Sequence, residues 1–313
     1  MTRQRNFWRF LCAGLLLLGA CAFPDALEVE KAPPLGPKFT QFTLKPGCTS
    51  DPEVAQILRE ADQHPSILHL IKNYMDTLEN DTRPGAPTLG KLERLVACGR
   101  VSDRIEGYQH GLTAVLKAGD HPFGGFLNQL WGTALADVSP WDGKSFSPMT
   151  ADEVTLLTAG AQRGDPPAFI GINGFTVYDQ SLLNRTSMAV LTFWLDLQDA
   201  PQTEQEAYGY HKKGGHFIAR RAKSIDPKNL GNDVLRLNYR WKNLKNPVPL
   251  RYLMDEIVQI AEGLYLGPLL FATQRLLEDF DPDLDPNEYA YQNFGYFLLM
   301  DDQWDEIKNR LRP

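Results

Sequence analysis

One carboxylate lies in an apolar strand and could do chemistry. Alternation along Arg251–Ile260 places Glu256 on one face with Tyr252 and Met254. If that face lines a barrel, desolvation raises the pKa of Glu256 and lets it act as a proton donor, a base or a ligand anchor. Glu256 could instead pair with an arginine, or the face could be only a rim. It is the sole catalytic candidate.

Aromatic side chains on predicted strands form a second candidate site. Trp194, Tyr239, Tyr252 and Tyr265 all lie on such strands. Small barrels with cavities bind apolar ligands through aromatic walls and a few polar groups. We therefore take these four residues, with Glu256, as candidate ligand-binding residues. The same rings could also fill an ordinary packed interior.

Two segments resemble metal sites only superficially. His211 and His216 lie in "HKKGGHF" without a neighbouring acidic or Cys ligand, which favours a solvated hairpin tip. The acidic run Asp279–Glu288 lacks the glycine and the final Glu of an EF-hand loop, which favours a surface loop. Common nucleophile, zinc-protease, dinucleotide and phosphate-loop patterns are also missing from the sequence. We expect neither a metal nor a cofactor.

Four cysteines divide into two groups. Cys12 and Cys21 belong to the N-terminal segment, whereas Cys48 and Cys98 lie in the body of the chain. In an oxidising compartment such a pair is a candidate disulfide. A metal site would need further Cys or His ligands at short spacing, and a nucleophilic cysteine would need a base beside it. The sequence predicts a Cys48–Cys98 bond.

The N-terminus has the layout of an export signal. Three arginines precede an apolar run from Phe10 to Leu18. That run is roughly half the length of a spanning helix, which needs about 20 apolar residues. Leu18-Gly19-Ala20-Cys21 resembles the bacterial lipobox. The resemblance implies cleavage before Cys21 and acylation of its thiol.

This resemblance implies a place in the cell. Ala22, rather than Asp, follows Cys21, and the lipoprotein sorting rule then favours the outer membrane, facing the periplasm. Multiple acyl chains anchor a protein stably. We predict a signal peptide over 1–20 and a proline-containing tether over 21–47. The resemblance therefore implies that the protein is attached to a membrane through the acyl chains on Cys21.

Charge excludes one class of partner. The formal net charge is −7, and it becomes −10 without the first 20 residues, which hold three arginines and no acid. Nucleic-acid binding relies on Lys and Arg at phosphates. We expect no nucleic-acid partner, and the sequence does not identify a protein partner.

Hydrophobic periodicity changes along the chain. Helical spacing and capping signals run through residues 48–160, including Pro52 after a capping Ser50 or Asp51 and a "TADE" box before Val154. Predicted helices include Leu89–Cys98, Ser102–Lys117 and Phe126–Ala136. Beyond about residue 165 the period is 2, and the predicted strands are Ala168–Tyr178, Ser187–Leu197, His216–Ala219, Asp233–Trp241, Arg251–Ile260, Leu264–Thr273 and Tyr296–Met300.

The segment Asn246–Gly267 resembles a group of bacterial proteins with lipocalin-like barrels. Three short motifs recur in that group: an Asp-Glu-Ile strand, a Gly-Leu-Tyr-Leu-Gly turn and an upstream Trp-x-Gly-Lys-x-Phe. The last of these corresponds to Trp141–Phe146 in this sequence. The resemblance implies a calycin-like barrel but gives no established activity. Together these patterns predict an α+β protein. A mainly helical region over 48–160 is followed by an antiparallel meander over 161–313 that closes into a lipocalin-like barrel.

Three functional hypotheses follow. The first is a lipid-anchored envelope protein whose barrel binds a small apolar or amphipathic molecule. The second is an enzyme on the same barrel that uses Glu256 as general acid or base. The third is a non-catalytic scaffold or protein-interaction module. The sequence leaves catalytic activity undecided.

Overall fold

The structure is a computed structural model that describes residues 35–81, 83, 85–116, 140–162, 167–176, 188–189, 192–248 and 250–311. The signal peptide, the lipobox with Cys21, and the helix predicted over Phe126–Ala136 lie outside the described residues. The helices are α1 (Pro37–Thr40), α2 (Pro52–Ala61), α3 (Ile67–Leu78), α4 (Pro87–Cys98), α5 (Ala151–Leu157), α6 (Gln202–Tyr208) and α7 (Asp302–Leu311).

Helix starts follow local chemistry. Asp51 accepts hydrogen bonds from the backbone N–H groups of Glu53 and Val54, so it caps α2 and Ser50, the other predicted candidate, does not. The predicted capping box at Thr150 and Glu153 opens α5. Local side-chain signals therefore set these boundaries.

Among the described residues, the strands are β1 (Gly107–Leu116), β2 (Trp141–Pro148), β3 (Ala168–Phe175), β4 (Gln198–Asp199), β5 (Lys212–Lys223), β6 (Asp233–Asn238), β7 (Leu253–Ala261), β8 (Leu264–Ala272) and β9 (Tyr291–Met300). Eight of them are antiparallel neighbours that close into a barrel. They run in the order β3-β2-β1-β9-β8-β7-β6-β5, and pairing of β3 with β5 closes the ring. The two-residue strand β4 pairs with β5 beside this closure.

The barrel begins earlier in the chain than the periodicity indicated. The segment Ser102–Lys117, predicted to be a helix, contains β1 instead. Tyr108, Leu112 and Val115 have helical spacing, but Gly111 lies where a Cβ atom would meet the Trp141 ring at 2.7 Å. This close approach of two strands requires glycine in an extended segment.

Two other predictions about the strands were wrong. Within the predicted strand Ser187–Leu197, residues 192–195 are helical. The "HKKGGHF" segment is not a hairpin tip, because β5 runs through it from Lys212 and pairs with β3. His216 is exposed on this strand.

Two apolar layers hold the fold together. One fills the barrel, with Phe146, Phe217 and Phe297 among its buried rings. The other lies between the barrel wall and helices α2, α3, α4 and α7, where Leu298 and Trp304 are completely buried. The helices thus cover part of the outer face of the sheet. Among the described residues, no helix combines the length and apolar character needed to cross a bilayer.

The disulfide predicted between Cys48 and Cys98 is present. It joins the turn before α2 to the end of α4, across a sequence separation of 50 residues. Part of the predicted tether packs against the body. Leu44 is buried and pairs with Gly99, and the Thr43 N–H donates to Ile260. Residues 21–34 lie outside the described part of the chain.

Candidate functional site

A lysine lies inside the barrel. The side chain of Lys144, on β2, is 3% exposed. Its ammonium donates to Asn173 Oδ1 and to the Tyr239 hydroxyl, both at 2.6 Å, and forms an ion pair with Asp255 Oδ2 at 3.0 Å. These three contacts use all three ammonium hydrogens.

Four strands or strand ends converge on this centre. Lys144 and Asn173 are cross-strand partners on β2 and β3. Tyr239 follows β6, and Asp255 lies on β7. Asn173 is itself fixed, because its amide donates to the Gly215 carbonyl at 2.8 Å and its oxygen accepts from Trp141. The barrel wall therefore holds the group rigidly.

Aromatic rings surround the ammonium. Its nitrogen lies 5.2 Å from the ring centre of Trp141 and 5.3 Å from those of Phe217, Tyr239 and Phe297. Such distances allow cation–π attraction. Rings and carboxylate together stabilise a charge that burial alone would disfavour.

Burial sets the direction of the pKa shifts. Desolvation lowers the pKa of Lys144, and Asp255 acts against that shift. Desolvation, reinforced by the Asp255 charge, raises the pKa of Tyr239 well above its usual value. The Tyr239 hydroxyl therefore stays protonated and donates to Asp255 Oδ2 at 2.8 Å.

Next to this centre lies a small cavity of about 50 Å³. Lys144, Asn173, Tyr239 and Asp255 all line it. The cavity lies toward the end of the barrel where β1, β3, β6 and β8 finish. Its apolar walls include Phe175, Leu250, Leu253, Leu269, Phe294 and Phe297.

One oxygen of Asp255 is left without a donor. Asp255 is 1% exposed, and its Oδ1 atom accepts no hydrogen bond from any described residue. Buried polar atoms are nearly always hydrogen-bonded. The centre therefore offers a fixed acceptor beside an apolar cavity. That arrangement suits a hydroxyl or amine donor on an otherwise apolar molecule.

The carboxylate singled out from the sequence lies elsewhere. Glu256 neighbours Asp255 in β7, and adjacent strand residues point to opposite faces. Its oxygens accept from the Ser224 hydroxyl at 2.5 Å and from the Ile225 N–H at 2.9 Å, and Arg236 lies 3.4 Å away. The face of β7 that carries Glu256 is therefore not the one that lines the cavity, and Glu256 anchors the β5–β6 loop. Tyr252 precedes β7, in the short 3-10 turn Leu250–Tyr252.

The predicted aromatic residues have different positions. Tyr239 lines the cavity. Tyr265 packs in the barrel core without lining the cavity, and Tyr252 packs against Phe271. Trp194 is 44% exposed in the helical segment 192–195, so it does not contribute to a barrel wall.

Sequence reasoning missed Lys144, Asn173 and Asp255. Lys144 lies in the Trp141–Phe146 segment that carried the resemblance, and a lysine flanked by Trp141 and Phe146 on a strand was the available signal. Asp255 was assigned to the face opposite Glu256. Only the observed closure shows that this opposite face points inward.

No group of three or more His, Cys, Asp or Glu side chains within the described ranges is placed to hold a metal ion. His211 hydrogen-bonds with Thr176 instead.

The chain matches no protein-family model, no curated protein sequence and no solved structure.

Proposed function

We propose that this protein is a lipid-anchored envelope protein whose barrel binds a small apolar or amphipathic molecule. The observation that carries the proposal is the free acceptor Asp255 Oδ1 at an apolar cavity. Aromatic and aliphatic walls supply contact area, and one fixed acceptor selects molecules that carry a hydrogen-bond donor.

The polar centre adds no net charge to the ligand site. Lys144 and Asp255 balance one another, so a neutral molecule meets no uncompensated charge. A cavity of about 50 Å³ suits the polar end of a ligand, since whole drug-sized molecules occupy roughly 300–1,000 Å³. The apolar remainder would extend toward the barrel end that the cavity approaches.

The type of barrel, the helical block and the membrane anchor form part of the same proposal. The antiparallel eight-stranded barrel is compatible with the lipocalin-like type that the Asn246–Gly267 resemblance implies. The helices between residues 52 and 98 would form an N-terminal helical block on the barrel. Acylated Cys21 would tether this body to the outer membrane, facing the periplasm.

Native mass spectrometry of protein extracted from its own membrane tests ligand binding. We expect a stoichiometric small-molecule adduct on the wild-type protein. The double variant Lys144→Met/Asp255→Leu removes the ion pair and the free acceptor while roughly keeping side-chain shape, and we expect it to carry no adduct. Circular dichroism checks that this variant is folded.

Trp194→Ala is the matched control, because it removes an aromatic side chain outside the barrel. It should keep the adduct. Repeated absence of an adduct from wild type would favour a non-catalytic scaffold, and an equal adduct on the double variant would exclude the Asp255 site. A bound molecule whose mass changes during incubation with the protein would favour an enzyme.

A further inference from the structure

A second buried cation lies outside the cavity and has no carboxylate partner in the part of the chain that the structure describes. Arg240 follows Tyr239 and is 5% exposed. Its guanidinium lies 4.4 Å from the ring centre of Tyr289 and 5.8 Å from those of Tyr252 and Phe280. Arg240 does not belong to the cavity lining.

Two of the three guanidinium nitrogens lack an acceptor among the described residues. Nε and Nη1 of Arg240 are fully buried and donate to no acceptor among the described residues, and no described carboxylate lies within ion-pair distance. The other buried cations differ, since Lys144 pairs with Asp255 and Lys308 pairs with Asp305. Burying a charge without a partner is unfavourable unless something else compensates it.

A buried hydroxyl lies beside Arg240. Tyr291 is 6% exposed, and its Oη atom donates to no acceptor among the described residues. The Arg240 side chain is its hydrogen-bonding neighbour. Burial raises the pKa of Tyr291, and the Arg240 charge acts against that rise. Arg240 and Tyr291 thus present buried donors, with one positive charge, at one place.

We propose that Arg240 and Tyr291 form a binding site for the carboxylate of a small organic acid. A carboxylate carries one charge, which balances one guanidinium, and it accepts the hydrogen bonds that these donors offer. The rings of Tyr252, Phe280 and Tyr289 favour an acid with a flat apolar body.

Local charge favours a carboxylate over a phosphate. The segment that carries Phe280 and Tyr289 also holds Asp279, Asp281 and Asp283. Asp279 is paired with Lys242, whereas no described cation pairs with Asp281 or Asp283. A dianion would meet repulsion from these carboxylates that a monoanion meets less. This site is separate from the proposed barrel ligand and does not depend on it.

Calorimetric titration of the full chain with sodium benzoate tests the site, with chloride held constant and sodium phosphate as the comparison. We expect benzoate to bind wild type at millimolar concentration or below. Arg240→Met keeps the packing and removes the charge, so it should weaken binding at least about tenfold. Tyr291→Phe removes only the hydroxyl and should weaken it by a smaller factor, which keeps the test valid if Arg240→Met does not fold.

Arg251→Met is the matched control, because Arg251 is a partly exposed arginine beside the same Tyr252 ring. It should bind benzoate as wild type does. Unchanged benzoate affinity in both Arg240→Met and Tyr291→Phe would overturn the site, as would no binding by wild type at millimolar concentration. Tighter binding of phosphate than of benzoate would overturn the carboxylate assignment.

Discussion

Asp255 and Glu256 are adjacent in β7, and their carboxylates lie on opposite sides of the barrel wall. Asp255 faces inward and pairs with Lys144, whereas Glu256 faces outward and accepts from Ser224 and Ile225. Strand alternation separates two neighbouring acids into different environments. One belongs to the cavity, and the other fixes a loop.

Lys144→Met should destabilise the protein strongly, because it leaves the Asp255 carboxylate without its cation inside the barrel. Removing one partner of a buried ion pair costs about 3–5 kcal/mol. The double variant Lys144→Met/Asp255→Leu should recover most of that loss, since no buried charge remains. Urea unfolding followed by circular dichroism measures both free energies of unfolding. Equal destabilisation of the single and double variants would contradict an ion-pair origin.

Glu256→Gln should change how stability depends on pH. Burial is the largest influence on Glu256 and raises its pKa, so the folded protein binds this proton more tightly than the unfolded chain does. That contribution is complete below the unfolded pKa of about 4.3, and it is lost as pH rises through the folded pKa.

The Gln variant lacks this titration but keeps an oxygen that accepts from Ile225. Its free energy of unfolding should therefore improve relative to wild type as pH rises through that window. Urea unfolding at several pH values measures the difference. A difference that stays constant with pH would mean that Glu256 does not titrate in this range.

Local patterns in the sequence predict the separate elements better than they predict the site. Asp51 and Thr150 form their caps through contacts within one turn, so their signals are readable without the fold. Lys144 gives no such local signal. A lysine on a strand normally faces water, and only the distant Asn173, Tyr239 and Asp255 explain its burial.

The sequence also does not show which face of β7 points into the barrel. Alternation correctly separated Asp255 from Glu256, but both faces of this strand are buried, one by the barrel core and one by other elements. With apolar residues on both sides, periodicity does not show which face is interior. The choice of Glu256 over Asp255 failed for that reason.

The Cys48–Cys98 disulfide should contribute substantially to stability, because it closes a long loop across α2, α3 and α4. Replacing both cysteines with Ala should lower the free energy of unfolding by about 2–5 kcal/mol. Urea unfolding of the variant and of wild type measures this change. Thiol labelling under denaturing conditions should find both cysteines blocked in wild type, and free thiols there would exclude the bond.

Cys21→Ser should release the protein from the membrane fraction, because the proposed anchor depends on acylation of that thiol. Stable anchoring needs more than one acyl chain, and a lipoprotein cysteine carries several. Cys12→Ser is the matched control, since Cys12 would be removed with the signal peptide and its loss should leave the protein in the membrane. Fractionation of cells followed by immunoblotting distinguishes the two variants. A Cys21→Ser protein that stays membrane-bound would show that the attachment does not depend on this cysteine.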